Sequence, residues 1–233
     1  MCTRFVYSGE DIITGFNFDI NLDDWEHKVL KKDDRFFIGI KQPDNEYHSY
    51  HGINKNGNVG TLLYVHGNEA GMYNHEYGCI TVSDLTEKFI KNELSFEDAT
   101  RIAKTKKITY APDATMQAML SDINGNALII EPGIGYRVEH QKYSLITNYS
   151  VLNPESTREF INPGDGRYER AKQMLESSSA DFSVDDAFSI LKSVREKGLW
   201  ATRVSFVYSV KQQKAYYALD SNFGRIYDYN FFS

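Results

Sequence analysis

The sequence predicts an α+β protein in which two β-sheets are covered on their outer faces by helices. Segments of period-two alternation and segments of helical period follow one another as strands, helices, strands, helices, strands. Aromatics make up 14% of the chain, with 16 Tyr and 14 Phe, a composition that suits pleated surfaces. Those aromatic strand faces need a cover, and two sheets with helices outside supply it. The 233 residues contain no repeat, linker or low-complexity stretch, so 1–233 reads as one domain.

Taken in order, residues 3–8 alternate, and Ile12 to Ile20 form a second extended run with Gly15 near its middle. Arg35 to Ile40 and Gly60 to Val65 are further strands, and Asn56-Gly57 marks a hairpin because both residues tolerate positive φ. A helix over about 83–92 follows. Ser95 with Asp98 forms a capping box that opens another, through about Lys104. Met116 to Leu120, Ala127 to Ile130 and Tyr143 to Thr147 return to strand period, with Asn124-Gly125 as a turn. Pro163-Gly164-Asp165-Gly166 turns the chain into a helix from Arg167 to Ser177. The next helix starts at Ser183, with Asp186 at the capping position. Its buried stripe is Val184, Ala187, Phe188, Leu191 and Val194, and Gly198 ends it. Thr202 to Val210, Ala215 to Asp220 and Arg225 to Tyr229 close the chain as strands.

Composition removes several functions. The net charge is −6 and no basic stripe offsets it, which argues against nucleic-acid binding; Lys104 to Lys107 reads as a solvated helix end. No apolar run has the length of a membrane span, and the start of the chain lacks the basic and apolar regions of a secretory signal. A cytoplasmic location is therefore expected, with Cys2 and Cys79 as free thiols and Cys79 buried in the core. His48 and His51, in a strand or loop, have no acidic or thiol partner at ligand spacing and read as structural. No nucleotide-binding glycine motif is present, and neither a metal nor an organic cofactor is expected.

Cys2 is the residue that points to chemistry. A small residue after Met1 normally permits removal of the initiator, which leaves a thiol and a free α-amine on one residue. With unperturbed pKa values of roughly 8.5 and 8, the amine can take the thiol's proton near neutral pH. Nucleophile and base then share a residue.

Met1-Cys2-Thr3, Gly15-Phe16-Asn17-Phe18-Asp19, Gly52 to Gly57, Leu145-Ile146-Thr147-Asn148, Phe188 to Val194 and Val204 to Tyr208, in that order, resemble the choloylglycine hydrolase family, which includes bile salt hydrolases and penicillin V acylases. The resemblance implies a four-layer αββα sandwich of two antiparallel sheets, the N-terminal nucleophile hydrolase fold. It implies Cys2 as nucleophile and, through its amine, base. Asp19 would hold that amine, and Asn148 would donate to the oxyanion. Tyr64, ten residues after Asn54, would supply a backbone N–H as second donor. Arg170 matches an arginine near the catalytic centre, with Arg167 as competitor because the alignment slips there by one residue. His66 lies near Tyr64 and is expected, with Tyr64, Phe16 and Arg4, on the substrate side.

The chain departs from the family twice. Phe16 stands where the family carries an arginine beside the thiol, a charge that favours thiolate. Arg4, two residues after Cys2 and so on the same strand face, is the expected replacement. The stretch from Asn148 to Arg170 lacks the hairpin that helps build the bile salt hydrolase tetramer. That argues against this tetramer and leaves a homodimer open. The implied reaction is hydrolysis of a linear amide of a small N-acyl substrate through an acyl-enzyme. Bile salts, penicillin V and N-acyl homoserine lactones are the candidate substrates, and Tyr64 favours penicillin V-like amides. An acyltransferase of the isopenicillin N type and a non-catalytic acyl-ligand-binding protein remain as alternatives.

Overall fold

The computed structural model of the chain describes residues 2–74, 78–157 and 165–231. Its strands, in chain order, are β1 (Thr3–Ser8), β2 (Ile12–Asp19), β3 (His27–Lys32), β4 (Arg35–Lys41), β5 (Tyr47–Asn54), β6 (Val59–Tyr64), β7 (Ile80–Thr81), β8 (Ile108–Thr109), β9 (Met116–Ser121), β10 (Ala127–Glu131), β11 (Gly135–Glu139), β12 (Tyr143–Ile146), β13 (Thr202–Ser209), β14 (Lys214–Leu219) and β15 (Tyr227–Asn230). The helices are α1 (Val82–Ile90), α2 (Phe96–Thr105), α3 (Arg167–Ser177) and α4 (Val184–Ser193).

Two antiparallel sheets form, with strand orders β12-β1-β2-β13-β14-β15 and β11-β10-β9-β6-β5-β4-β3, and β7 and β8 pair as a short parallel ribbon. Period-two alternation decides what each face meets. Cys2, Val6, Phe16, Phe18 and Phe206 from the first sheet interleave with Phe36, Ile38, Leu63 and Met119 from the second. The intervening residues Phe5, Tyr7, Ile13 and Val207 turn the other way, onto Ala171, Leu175, Leu191 and other residues of α3 and α4. Leu62, Ala118 and Leu128 do the same against Val82, Leu85, Phe89 and Ala99 of α1 and α2. The result is the expected four-layer αββα sandwich.

Capping chemistry sets the helix starts. Ser95 with Asp98 and Ser183 with Asp186 both form complete capping boxes. The two Asn-Gly turns place Gly57 at φ 81° and Gly125 at φ 79°, where a side chain would strain the backbone. Of the turn expected before α3, Pro163 and Gly164 lie outside the described residues.

Three expectations need correction. Helix α4 stops at Ser193, with Val194 as its cap; Gly198, at φ 78°, instead opens a three-residue 3-10 turn. Strands β3, β7, β8 and β11 have no counterpart in the sequence analysis, and β5 appears there only as a strand or loop around His48 and His51. β3 and β11 are sheet edges whose residues keep contact with water, so apolar alternation is weak in them. β7 and β8 are two residues each, and β5, an inner strand, is mostly Tyr, His, Ser and Gly over Tyr47 to Gly52 and shows little apolar alternation. Cys79 is half-buried rather than core, with its thiol on Asn74 Oδ1 at 3.4 Å.

Gly15 is required by close approach. A Cβ there would lie 2.2 Å from the Phe5 ring on the neighbouring strand. Gly15→Ala must displace a fully buried ring, so it should lower the unfolding free energy by about 1–3 kcal/mol. Urea titration measures this; an unchanged midpoint would show that Phe5 relocates without cost.

Candidate active site

Cys2 precedes β1 and is buried, 5% exposed. Its backbone N–H donates to Asn148 Oδ1 at 2.7 Å, and its thiol faces the Asp19 carbonyl at 3.8 Å. Asn148 follows β12, the neighbour of β1, and its Nδ2 donates to the Tyr64 carbonyl at 2.7 Å. Tyr64 ends β6 in the other sheet, so one side chain bridges both sheets at the cysteine.

The register of β6 shows where the Tyr64 N–H points. Leu63 and Tyr64 oppose Gln117 and Met116 of β9, and the Val65 N–H donates to Thr115 across that pair. Antiparallel ladders alternate, so the N–H and C=O of Tyr64 turn away from β9. The Leu62 N–H does likewise, reaching His51 Nδ1 at 3.2 Å. The Tyr64 N–H therefore lies on the side where Asn148 meets the Tyr64 carbonyl. Tyr64 is 51% exposed, and His66, two residues on, is half-buried.

Asp19 ends β2, buried, and its Oδ1 accepts from Thr202 Oγ1 at 2.5 Å. A bulge makes this contact. Thr202 opposes Asp19 while Val204 opposes Phe18, so Arg203 is the extra residue that turns Thr202 inward. Thr202 Oγ1 also accepts the Glu196 N–H at 2.9 Å.

The arginine beside the cysteine is Arg167. Its side chain is 5% exposed and reaches the Cys2 carbonyl at 3.3 Å, Asn148 Oδ1 at 3.1 Å and Asp19 Oδ2 at 3.7 Å. Asp165 at 2.7 Å and Glu196 at 2.9 Å hold it more closely. Arg170 takes no part; it is exposed and donates to the Ser193 carbonyl at the end of α4 at 2.8 Å. Helical geometry separates the two, because Arg167 stands four and eight residues before Ala171 and Leu175 on the buried stripe of α3. That spacing is visible in the sequence and identifies Arg167. Asp165, Glu196 and Thr202 carry no comparable signal.

Phe16 and Arg4 occupy the interior, not a substrate surface. Phe16 is fully buried and stacks on His51 with centroids 5.4 Å apart. Arg4 is on the face of Cys2, as the strand period requires, but its guanidinium turns to Ser121 Oγ at 2.8 Å and to the Phe5 carbonyl. The charge near Cys2 comes from Arg167 on the helix side of the sheet. His51 is structural as expected: buried, bonded to the Leu62 N–H and held to about 3 by desolvation. His48 likewise joins Asp44 and Glu87 in ion pairs.

Burial dominates the titrations. It pushes the Cys2 thiol up to about 11, against the opposing charge at the chain's N-terminus. It pushes the Asp19 carboxyl up to about 7, opposed by the N-terminal charge, the Thr202 hydroxyl and Arg167. Burial would lower Arg167, yet its hydrogen bond to Asp165 and the charges of Asp165, Asp19 and Glu196 raise it overall. Among the described residues no cluster of His, Cys, Asp and Glu fits a metal ion, and no helix is long and apolar enough to cross a membrane. Two surface cavities, of about 230 Å³ beside Lys106 and Tyr136 and about 320 Å³ beside Ser178 and Phe182, contain none of the Cys2 cluster.

No protein-family model matches the chain, and no curated protein matches it in sequence. Solved structures do match in shape. A mutant of conjugated bile acid hydrolase from Clostridium perfringens superposes with a TM-score of 0.72 at 15% identity, covering 99% of this chain and 92% of that one. Penicillin V acylase from Agrobacterium tumefaciens gives 0.66 at 16% identity, covering 94% and 83%. This chain has the N-terminal nucleophile hydrolase fold. An N-acylethanolamine-hydrolyzing acid amidase ortholog from Caenorhabditis elegans shares that fold, at a TM-score of 0.59 and 15% identity over 89% of this chain and 92% of that one.

Two outcomes check the electrostatics. Arg167→Met strands Asp165, Glu196 and Asp19 around a buried vacancy of charge, so it should cost about 3–5 kcal/mol in urea unfolding. Arg170→Ala should stay within about 0.5 kcal/mol; equal losses would contradict the assignment. For Asp19, a raised carboxyl pKa means that the folded protein keeps a proton the unfolded chain releases. Its contribution is full below the ordinary value of 3.8 and is lost as pH rises through about 7. Asp19→Asn should flatten the fall in stability over that window, and an unaltered pH profile would show that Asp19 ionises normally.

Proposed function

We propose that the chain hydrolyses a linear, non-peptide amide of a small N-acyl substrate, as a relative of the choloylglycine hydrolases, with Cys2 as nucleophile. One observation carries the reading. Asn148 joins the Cys2 nitrogen, through Oδ1, to the Tyr64 main chain, through Nδ2, at 2.7 Å on each side. The atom that becomes the base and the groups that would hold an oxyanion are thereby linked through one carboxamide.

Removal of Met1 converts the Cys2 nitrogen from a peptide N–H into an amine. The amine takes the thiol proton, and the thiolate attacks the substrate carbonyl. Asn148 Nδ2 exchanges the Tyr64 carbonyl for the oxyanion, beside the Tyr64 N–H. The protonated amine gives its proton to the leaving nitrogen, and water activated by the same amine releases the acid from the thioester. Asp19, with Thr202 and Arg167 about it, holds the amine in place. Retention of Met1 would leave a thiol that titrates at about 11 and no amine on Cys2, which is what a non-catalytic acyl-binding protein would look like.

The intact mass of purified protein comes first, followed by a panel of N-acyl amides with Cys2→Ser and Asn148→Ala variants. The expected result is loss of Met1, an acyl adduct on Cys2, no turnover by Cys2→Ser, and a fall of about 10²–10³ in kcat for Asn148→Ala. Turnover that survives Cys2→Ser, or fully retained Met1 with no adduct, would overturn the reading.

A further inference from the structure

The segment that carries Asn148 hangs from the opposite sheet by two buried side chains. Gln117, on β9 and fully buried, donates from Nε2 to the Thr147 carbonyl at 2.6 Å and the Tyr149 carbonyl at 3.3 Å. These two carbonyls flank the Asn148 residue in the chain. The orientation of the carboxamide follows from its partners, since turning it over would set Oε1 against two carbonyl oxygens. Gln117 Oε1 itself is buried without a hydrogen-bond partner among the described residues. The side chain is thus committed to the two carbonyls at the expense of its own oxygen.

Gln117 also stands at the right place in the second sheet. It opposes Leu63, the residue before Tyr64. One side chain therefore connects the strand pair that presents the Tyr64 N–H to the backbone on both sides of Asn148. Glu131, on β10, secures the following residues: its carboxylate accepts from the Ser150 hydroxyl, the Val151 N–H at 2.8 Å and the Leu152 N–H at 3.2 Å. Residues 147–152 are pinned through their main chain, while the Asn148 side chain is left to reach Cys2 and Tyr64.

We propose that Gln117 is the positioning residue of the oxyanion hole, setting the spacing between Asn148 Nδ2 and the Tyr64 N–H. The proposal rests on the reading of Cys2 as an acyl-transfer nucleophile. Gln117 touches no reacting atom and acts through the backbone of residue 148. Donors must sit where charge develops, and misplacement by about 1 Å can cost on the order of 10²-fold in rate.

The test uses Gln117→Met, similar in size but without donors, and Gln117→Glu, which keeps the shape and regains one donor only when protonated. Both should lower kcat at neutral pH by about 10–100-fold with little change in KM. Alkylation of Cys2 by iodoacetamide, which needs no oxyanion hole, should proceed at the wild-type rate. Activity of Gln117→Glu relative to wild type should recover as pH falls. Crystal structures of the variants should show Asn148 Nδ2 displaced from its 2.7 Å contact with the Tyr64 carbonyl. An unmoved Asn148, or alkylation that falls in step with kcat, overturns the proposal. If the wild-type protein hydrolyses no amide, the reading of Cys2 fails, and the position of Asn148 in the variant crystals still decides what Gln117 does.

Discussion

A guanidinium taken almost wholly out of water governs this end of the sandwich. Arg167 opens α3, where the helix dipole is unfavourable to a cation, and its side chain is 5% exposed. Such a charge is tolerable only with close, well-aligned partners. Asp165 supplies one from the turn just before the helix, and Glu196 supplies another from the segment after α4. Because these two hold Arg167 at 2.7 and 2.9 Å, its charge does not depend on Asp19, which is farther away at 3.7 Å. The remaining donors of Arg167 are then free to fix the Cys2 carbonyl and Asn148 Oδ1. The positions of the cysteine main chain and of the bridging asparagine both follow from how one buried cation is satisfied.

The same burial that strengthens these contacts makes the cysteine unreactive by itself. Desolvation raises the thiol to about 11 and the neighbouring carboxyl to about 7. On the reading of Cys2 proposed above, a base in solution could not reach a group that is 5% exposed, and the base would have to lie inside the fold. An amine on the same residue needs no path from solvent, and Asp19 lies on the side of the sheet from which Arg167 approaches. The protonation of the Cys2 thiol and of the Asp19 carboxyl is thus decided inside the fold, by burial first and then by the N-terminal charge and Arg167.

How much of this could be read from the chain depends on whether a residue's role is local. Ser95 with Asp98 and Ser183 with Asp186 act within four residues, and both capping boxes stand as read. Most inner strands carry their alternation openly; β5, between β4 and β6, does not, because Tyr47 to Gly52 is polar and aromatic. The edge strands β3 and β11 do not, because a strand wetted on much of its surface has little apolar pattern to show. Asn148 touches both Cys2 and Tyr64, and the Cys2 thiol faces the Asp19 carbonyl, so residues far apart in sequence meet at three strand ends. Of the two candidate arginines, the helical spacing to Ala171 and Leu175 turns Arg167 inward and leaves Arg170 on the surface. Thr202 and Glu196 could not be found this way, since a bulge at Arg203 aims the first and the first positions the second.

Phe16 and Arg4 show how the interior face beside Cys2 is filled. The two are opposite each other on β2 and β1, on the face that meets the second sheet. Phe16 is closed in by His51, Phe18 and Phe206, and His51 is kept neutral by its own burial. Arg4 directs its guanidinium across to Ser121, at the end of β9 in the second sheet. On the interior face the guanidinium of Arg4 is thus engaged by Ser121 and the Phe5 carbonyl, and the cation that contacts the Cys2 main chain is Arg167, on the helix side. A thiolate at Cys2 would be stabilised from one direction only, through Arg167 and the N-terminal amine. Without Arg167, the neighbours Phe16, Phe18 and His51 would offer the thiol no second cation.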